Sequence, residues 1–244
     1  MKIAIICPIP HLNDFNLGSF HLIIAQYLKD NKYASFYNKN GYVIVDNGVF
    51  ETGKPLTAKR LLQLCLQIGA QEIVLPDFFF DAKKTLHVVE SFLDKFGVRP
   101  NGVKLCAVIQ GDCFKTFYDC YLRLCDLPID VIGVPKTIIF ADRISVLSEI
   151  QKELDLRKEY HCLGIKHVNE LEHLSKLNFI RSCDTSLWFT SSFVGVNLMQ
   201  QKGTVFARPD NFFYCKLPAN RIQLAKENIE FLRRIANATE NLHS

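Results

Sequence analysis

The sequence predicts an α/β protein folded as a single (β/α)8 TIM barrel, on three observations. Short runs of β-branched and aliphatic residues recur along the chain, each closed by a polar residue or a glycine. Segments with helical apolar spacing lie between the runs, and the runs are apolar on both faces, as parallel strands covered by helices are. Seven or eight such units in 244 residues fit a barrel better than an open doubly wound sheet. The phosphate loops of open sheets are also missing, since no GxGxxG follows the first run and no GxxxxGK[ST] occurs.

In chain order the predicted strands are residues 3–9, 42–45, 72–75, 104–109, 130–134, 161–165 and 178–182, with 204–207 as a weaker eighth. The helices between them have readable faces. Leu61, Leu64, Cys65 and Ile68 form one stripe, closed by Gly69. Asp81 is placed to cap the next, whose stripe is Leu86, Val89, Leu93 and Phe96 before Gly97. Phe114, Phe117, Tyr118, Tyr121 and Cys125 make a third, and Ile144, Leu147, Ile150 and Leu154 a fourth. A shorter stripe, Val168, Leu171, Leu174 and Leu177, precedes the last one, Ile222, Ala225, Ile229, Leu232 and Ala236. No Pro/Gly/Ser-rich linker, low-complexity tract or longer repeat divides the chain, so one domain spanning residues 1–244 is expected.

Composition narrows the class. Apolar residues make up 48% and charged residues 22%, an ordinary globular balance. The net charge of +4 does not by itself indicate nucleic-acid binding, but most of the excess falls in residues 200–244. Nine cysteines, an odd number without a CxxC pair, read as reduced core thiols of a cytosolic protein. The N-terminal MKIAIICPIP is too short an apolar run for a signal peptide, and no stretch suffices for a membrane span. The expected location is the cytoplasm, or the host cytoplasm if the chain is viral.

In a barrel, catalytic groups project from the carboxyl ends of strands. Here those ends carry Asp46, Asp77, Gln110 with Gly111, Gly133, Gly164 and Asp184. A lone Asp after a strand is commonly a turn former or a helix cap. Three of them, with an amide between, make a better case for a site. GxSxG is absent, and the seven histidines are scattered, so neither an elbow hydrolase nor a zinc hydrolase is expected. His167 and His173, on one predicted helix, read as surface residues. Carboxylates facing an anomeric carbon suit glycosyl transfer, with one attacking C1′ and another group helping the leaving group. Gln110 and the Gly133 amide suit the polar edge of a flat base, so sugars and nucleosides are the substrate classes to consider.

The ordered set VDNGVFE, VLPDFFFD, AVIQGD, VIGVPK, LGIKHVNEL and RSCDTS, over about residues 42–190, resembles the tRNA-guanine transglycosylase superfamily. The resemblance implies Asp184 as nucleophile on C1′ and Asp46 as the carboxylate assisting proton transfer. It implies Asp77 on the guanine edge, with Gln110 and Gly111 on the carbonyl side and Gly133 offering a backbone N–H. Phe50, Phe78 or Phe79 would stack on the base or belong to the core. The implied reaction is a double displacement in which guanine leaves, a covalent glycosyl-Asp forms and a 7-deazaguanine base displaces it.

Two departures matter. The family's tRNA enzymes are longer and carry three closely spaced cysteines and a distant histidine on zinc, whereas this chain has only Cys215 and His243 in that region. The turn reads Asp46-Asn47-Gly48-Val49, with Asn and Val in place of Ser and Gly. The short form without the zinc residues is similar to the virus-encoded (phage) branch that inserts 7-deazaguanine bases into DNA. That likeness implies DNA as partner, with tRNA as the alternative, a free base such as preQ0 (7-cyano-7-deazaguanine), no cofactor and no metal. Lys202, Arg208, Lys216 and Arg221, with Arg233 and Arg234, are candidates for the phosphates beside a flipped nucleotide. Phe206, Phe212, Phe213 and Tyr214, interleaved with them, read as nucleic-acid contacts, barrel core or a homodimer contact. A non-catalytic nucleic-acid-binding paralogue and a nucleoside hydrolase are the alternatives.

Overall fold

The computed structural model describes residues 1–38 and 40–238. Its strands and helices run β1 (Lys2–Ile5), β2 (Phe20–Ile24), α1 (Asn31–Tyr37), β3 (Tyr42–Asp46), α2 (Val49–Thr52) and α3 (Ala58–Gln67). They continue with β4 (Glu72–Val74), α4 (Ala82–Phe96), β5 (Lys104–Val108), α5 (Phe114–Asp126), β6 (Val131–Val134) and α6 (Arg143–Ile150). The last elements are β7 (Glu159–Cys162), α7 (Val168–Leu174), β8 (Ile180–Thr185), α8 (Leu187–Val194) and α9 (Ile222–Ala236). The eight strands form one parallel sheet in the order β1-β8-β7-β6-β5-β4-β3-β2, the neighbour order of a (β/α)8 TIM barrel. The predicted fold class is therefore the observed one.

One strand differs from the expectation. Residues 204–207 form no strand, and Val205 is exposed. The eighth strand is β2, buried at all five positions. Its sequence, FHLII, carries a histidine at its second position, and this polar residue hid the run.

By packing, the chain falls into two compact units, Leu22–His161 and Met1–His21 with Cys162–Ser244. In the first, β3 to β6 pair in register, with Ile44 opposite Glu72, Val74 opposite Cys106 and Val108 opposite Gly133. Glu72 is fully buried at the start of β4, where Tyr42 donates its hydroxyl to it at 2.7 Å. The helices cap as their sequences require. Asp81 accepts from the Lys84 N–H at the start of α4, and Thr57 does so from Arg60 at the start of α3. The buried face of α4 is Thr85, Val89 and Phe92, rotated slightly from the predicted stripe.

In the second unit, β1 lies parallel to β8, with Ala4 opposite Asp184. Every residue of helix α8 from Leu187 to Ser192 is buried. Its serines satisfy their hydroxyls on preceding carbonyls, Ser191 on Leu187 at 2.8 Å and Ser192 on Trp188 at 2.6 Å. Trp188 is fully buried and donates its indole N–H to the Ile6 carbonyl at 2.9 Å. Asn228 on α9 pins the segment after α8, donating to the Val196 carbonyl and accepting from the Leu198 N–H, both at 3.0 Å.

Candidate active site

Strand β3 ends at Asp46, and the chain turns at once. The Gly48 N–H donates to Asp46 Oδ2 at 2.9 Å, closing an Asx turn. Gly48 has φ +75°, and a Cβ there would fall 1.8 Å from the Gln26 side-chain oxygen. Glycine alone meets both conditions without strain. Gln26 in turn donates to the Asn47 carbonyl at 2.9 Å.

The turn buries Asn47 completely and aims its amide at the next strand end. Its Nδ2 donates to Asp77 Oδ1 at 2.7 Å and to the Leu75 carbonyl at 2.8 Å, while its Oδ1 accepts from the Val49 N–H at 2.9 Å. Asp77 lies three residues beyond β4, and Gln110 two beyond β5; both are buried. Gln110 donates through Nε2 to Asp77 Oδ2 at 2.6 Å and accepts from the Phe80 N–H at 3.0 Å. Phe80 has φ +63°, a strained conformation for a bulky residue. The segment before it is held by Thr85, whose Oγ1 accepts from the Phe78 N–H at 3.0 Å.

Asp77 thus receives one amide N–H on each oxygen. Burial dominates its titration and lifts the carboxyl to about 6, while the donors on Asn47 and Gln110 pull it back down. The Cys120 thiol on α5, which feels the Asp77 charge, is pushed up by burial to about 11 and stays neutral.

Gly111 has a packing role. A Cβ there would fall 2.3 Å from the Phe117 backbone nitrogen, so α5 packs directly on this glycine. Gly133 sits within β6, and its carbonyl accepts from the Ile109 N–H at 2.9 Å. Phe50, on α2, is exposed. Phe79 is exposed as well, whereas Phe78 is half-buried with the Lys84 ammonium 3.9 Å from its ring centroid.

In the other unit, Asp184 is the penultimate residue of β8 and is buried. Its Oδ1 accepts from the Gly164 N–H at 2.9 Å, so the turn after β7 orients the carboxylate on β8.

The basic candidates are engaged to different degrees. Lys202 pairs with Glu172 at 2.6 Å. Arg208 is half-buried, its guanidinium 3.9 Å from the Phe212 ring centroid. Arg221 packs over Gly195, where a Cβ would fall 2.4 Å from the guanidinium. Arg233 donates to the Asn16 carbonyl at 2.8 Å, and Arg234 lies 3.9 Å from the Met199 sulfur. Lys216, directly after Cys215, is exposed, and no ion pair holds it among the described residues.

Phe212 and Phe213 are buried core residues, Phe212 standing edge-on to Phe189, so only Tyr214 of this aromatic triplet is placed at the surface. Phe206 is half-buried. Of the two histidines read as surface residues, His173 is exposed along its helix and His167 caps α7.

Among the described residues no group of three or more His, Cys, Asp or Glu is placed to hold a metal ion. Cys215 is half-buried beside the Asp210 carbonyl, and His243 lies outside the described residues. No described helix is long and apolar enough to cross a membrane.

Asn47 and Phe80 are the parts of the site that sequence reading missed, whereas Gly164 was placed at its strand end without its role as donor to Asp184. The signal for Asn47 was its position directly after a strand-end Asp. Nothing in the sequence marks Phe80. In comparisons with known proteins, the chain matches no protein-family model and no curated protein.

Proposed function

We propose that this protein is a pentosyltransferase, a DNA-guanine transglycosylase that exchanges guanine in DNA for a 7-deazaguanine base. The observation that carries the reading is the buried Asp184 carboxylate at the end of β8, oriented by the Gly164 N–H at 2.9 Å. A carboxylate held in one direction at a strand end is suited to attack on an anomeric carbon. The second support is the Asp77–Gln110 pair at the ends of β4 and β5.

In the reaction, Asp184 attacks C1′ and the C1′–N9 bond breaks. The electron pair leaves with guanine, which takes up a proton at N9. An ester bond now joins C1′ to Asp184. The incoming 7-deazaguanine base loses the proton from its N9, attacks C1′ and returns the electron pair to the carboxylate. Two inversions give net retention. Asp46, at the end of β3, is the candidate proton carrier. Asp77 accepts from the N–H groups of the base edge, and the second N–H of Gln110 serves the carbonyl. The base must leave the duplex stack, a cost of a few kcal/mol that contacts to the flanking phosphates offset.

The test is exchange of labelled guanine, or of 7-cyano-7-deazaguanine followed by mass spectrometry, into duplex DNA and tRNA in parallel. Incorporation into DNA alone is expected. Incorporation into tRNA alone would reassign the substrate, and release of free base without exchange would point to a hydrolase.

A further inference from the structure

Each polar atom of the Asn47 side chain is engaged. Both N–H bonds are used, one on Asp77 Oδ1 at 2.7 Å and one on the Leu75 carbonyl at 2.8 Å, and the oxygen accepts from Val49 at 2.9 Å. The arrangement has one orientation only. Turning the amide over would set its oxygen against the Leu75 carbonyl and the Asp77 carboxylate, and its NH2 against the Val49 N–H. Gln110 is held similarly from the other side, with its oxygen on the Phe80 N–H and one Nε2–H on Asp77 Oδ2.

We propose that Asn47 is the positioning residue of the base-recognition carboxylate: it fixes Asp77 in orientation and keeps it ionised to receive the N–H groups of a planar base. The inference rests on the base-exchange reading for the identity of the ligand, though the Asn47–Asp77 bond does not depend on it. A charge-assisted donor stabilises an ionised carboxylate against the cost of burial, and Asn47 supplies it from a turn locked by Gly48. The neutral Cys120 thiol offers Asp77 no cationic alternative. A carboxylate deprived of the Asn47 donor would take up a proton and present an O–H where the base needs an acceptor.

The experiment follows the Asp77 carboxyl by carbon NMR through a pH titration of the whole chain and of two variants, Asn47→Ala and the isosteric Asn47→Asp. In the unaltered protein the midpoint is expected near 6. Removing one charge-assisted bond should raise it by about one pH unit in Asn47→Ala, and a second carboxylate should raise it further in Asn47→Asp. Binding of free guanine to Asn47→Ala, measured by calorimetry at pH 6.5 and 8.5, should weaken by about threefold at the lower pH and recover at the higher. An unchanged Asp77 midpoint in a folded variant overturns the role of Asn47, whatever the substrate. A raised midpoint in a protein that binds no guanine keeps that role and overturns the base-exchange reading instead. If Asn47→Ala does not fold, Asn47→Asp, which keeps the shape and the Val49 contact, decides.

Discussion

The Gly164 N–H donates to Asp184 Oδ1 at 2.9 Å, so the turn after β7 sets the direction of a carboxylate on β8. Replacing Asp184 with Asn keeps an acceptor for Gly164 and removes the proposed nucleophile. The unfolding free energy of Asp184→Asn is expected to stay within about 1 kcal/mol of the parent's, while base exchange falls by at least about a thousandfold. Denaturant melts and trapping of the covalent DNA adduct by mass spectrometry check the two halves; an adduct that persists in the variant would remove Asp184 from the mechanism.

Burial lifts Asp77 to about 6, which ties both activity and stability to pH. On the proposed base-exchange reading recognition needs the ionised form, so the exchange rate should climb with pH through about 6 and level off above it. Stability should run the other way. The folded value lies above the unfolded value of about 3.9, so between these pH values the folded state holds the extra proton. The contribution of this group is full below about 4 and is lost as pH rises through the folded midpoint. At most about 3 kcal/mol is at stake for a shift of this size. Urea unfolding at about pH 5 and about pH 7, with Asp77→Ala as reference, reads this contribution directly. Equal pH dependence in both proteins would dissociate it from Asp77.

Gly111 follows Gln110 and carries the first turn of α5 against it. A methyl group there meets the Phe117 backbone nitrogen at 2.3 Å and its Cα at 2.5 Å, neither of which is the movable end of a side chain. Gly111→Ala should therefore cost about 1–3 kcal/mol and displace Gln110 from Asp77. Chemical denaturation measures the first effect. The second appears as weaker binding of free guanine at a pH where Asp77 is ionised.

Periodicity exposed most of the sheet because β3 to β6 are largely apolar runs with caps and glycines at their ends. Strand β2 escaped for a physical reason: a histidine sits inside FHLII, and burial of all five residues removes the alternation that would mark a half-exposed strand. The strand-end carboxylates were legible because chain position alone places them. The hydrogen bonds that give them their properties were not. Asn47 reaches Asp77 across 30 residues of sequence, and Gln110 reaches it across 33, and such pairings arise only once the strands stand side by side. For the aromatic run near residue 212, burial selects the core alternative at two positions. Phe212 and Phe213 lie beside basic residues in sequence, yet they are buried with Phe189, and proximity to Arg208 reflects a guanidinium stacked on the core's edge.

The basic C-terminal residues can be ranked by what already holds them. Lys202 would have to leave Glu172, 2.6 Å away, before meeting a phosphate, and Arg208 is stacked on Phe212. Lys216 makes no ion pair among the described residues, so its charge is available without a competing carboxylate. Removing one phosphate-binding cation should lower the slope of log affinity against log salt by about 1. Lys216→Ala is therefore expected to reduce the slope by about that amount, and Lys202→Ala by clearly less. Fluorescence titration of a DNA duplex between about 50 and 200 mM salt separates them. Equal slopes for the parent and Lys216→Ala would place the phosphates on another face, and a larger effect at Lys202 would mean that Glu172 releases its partner on binding.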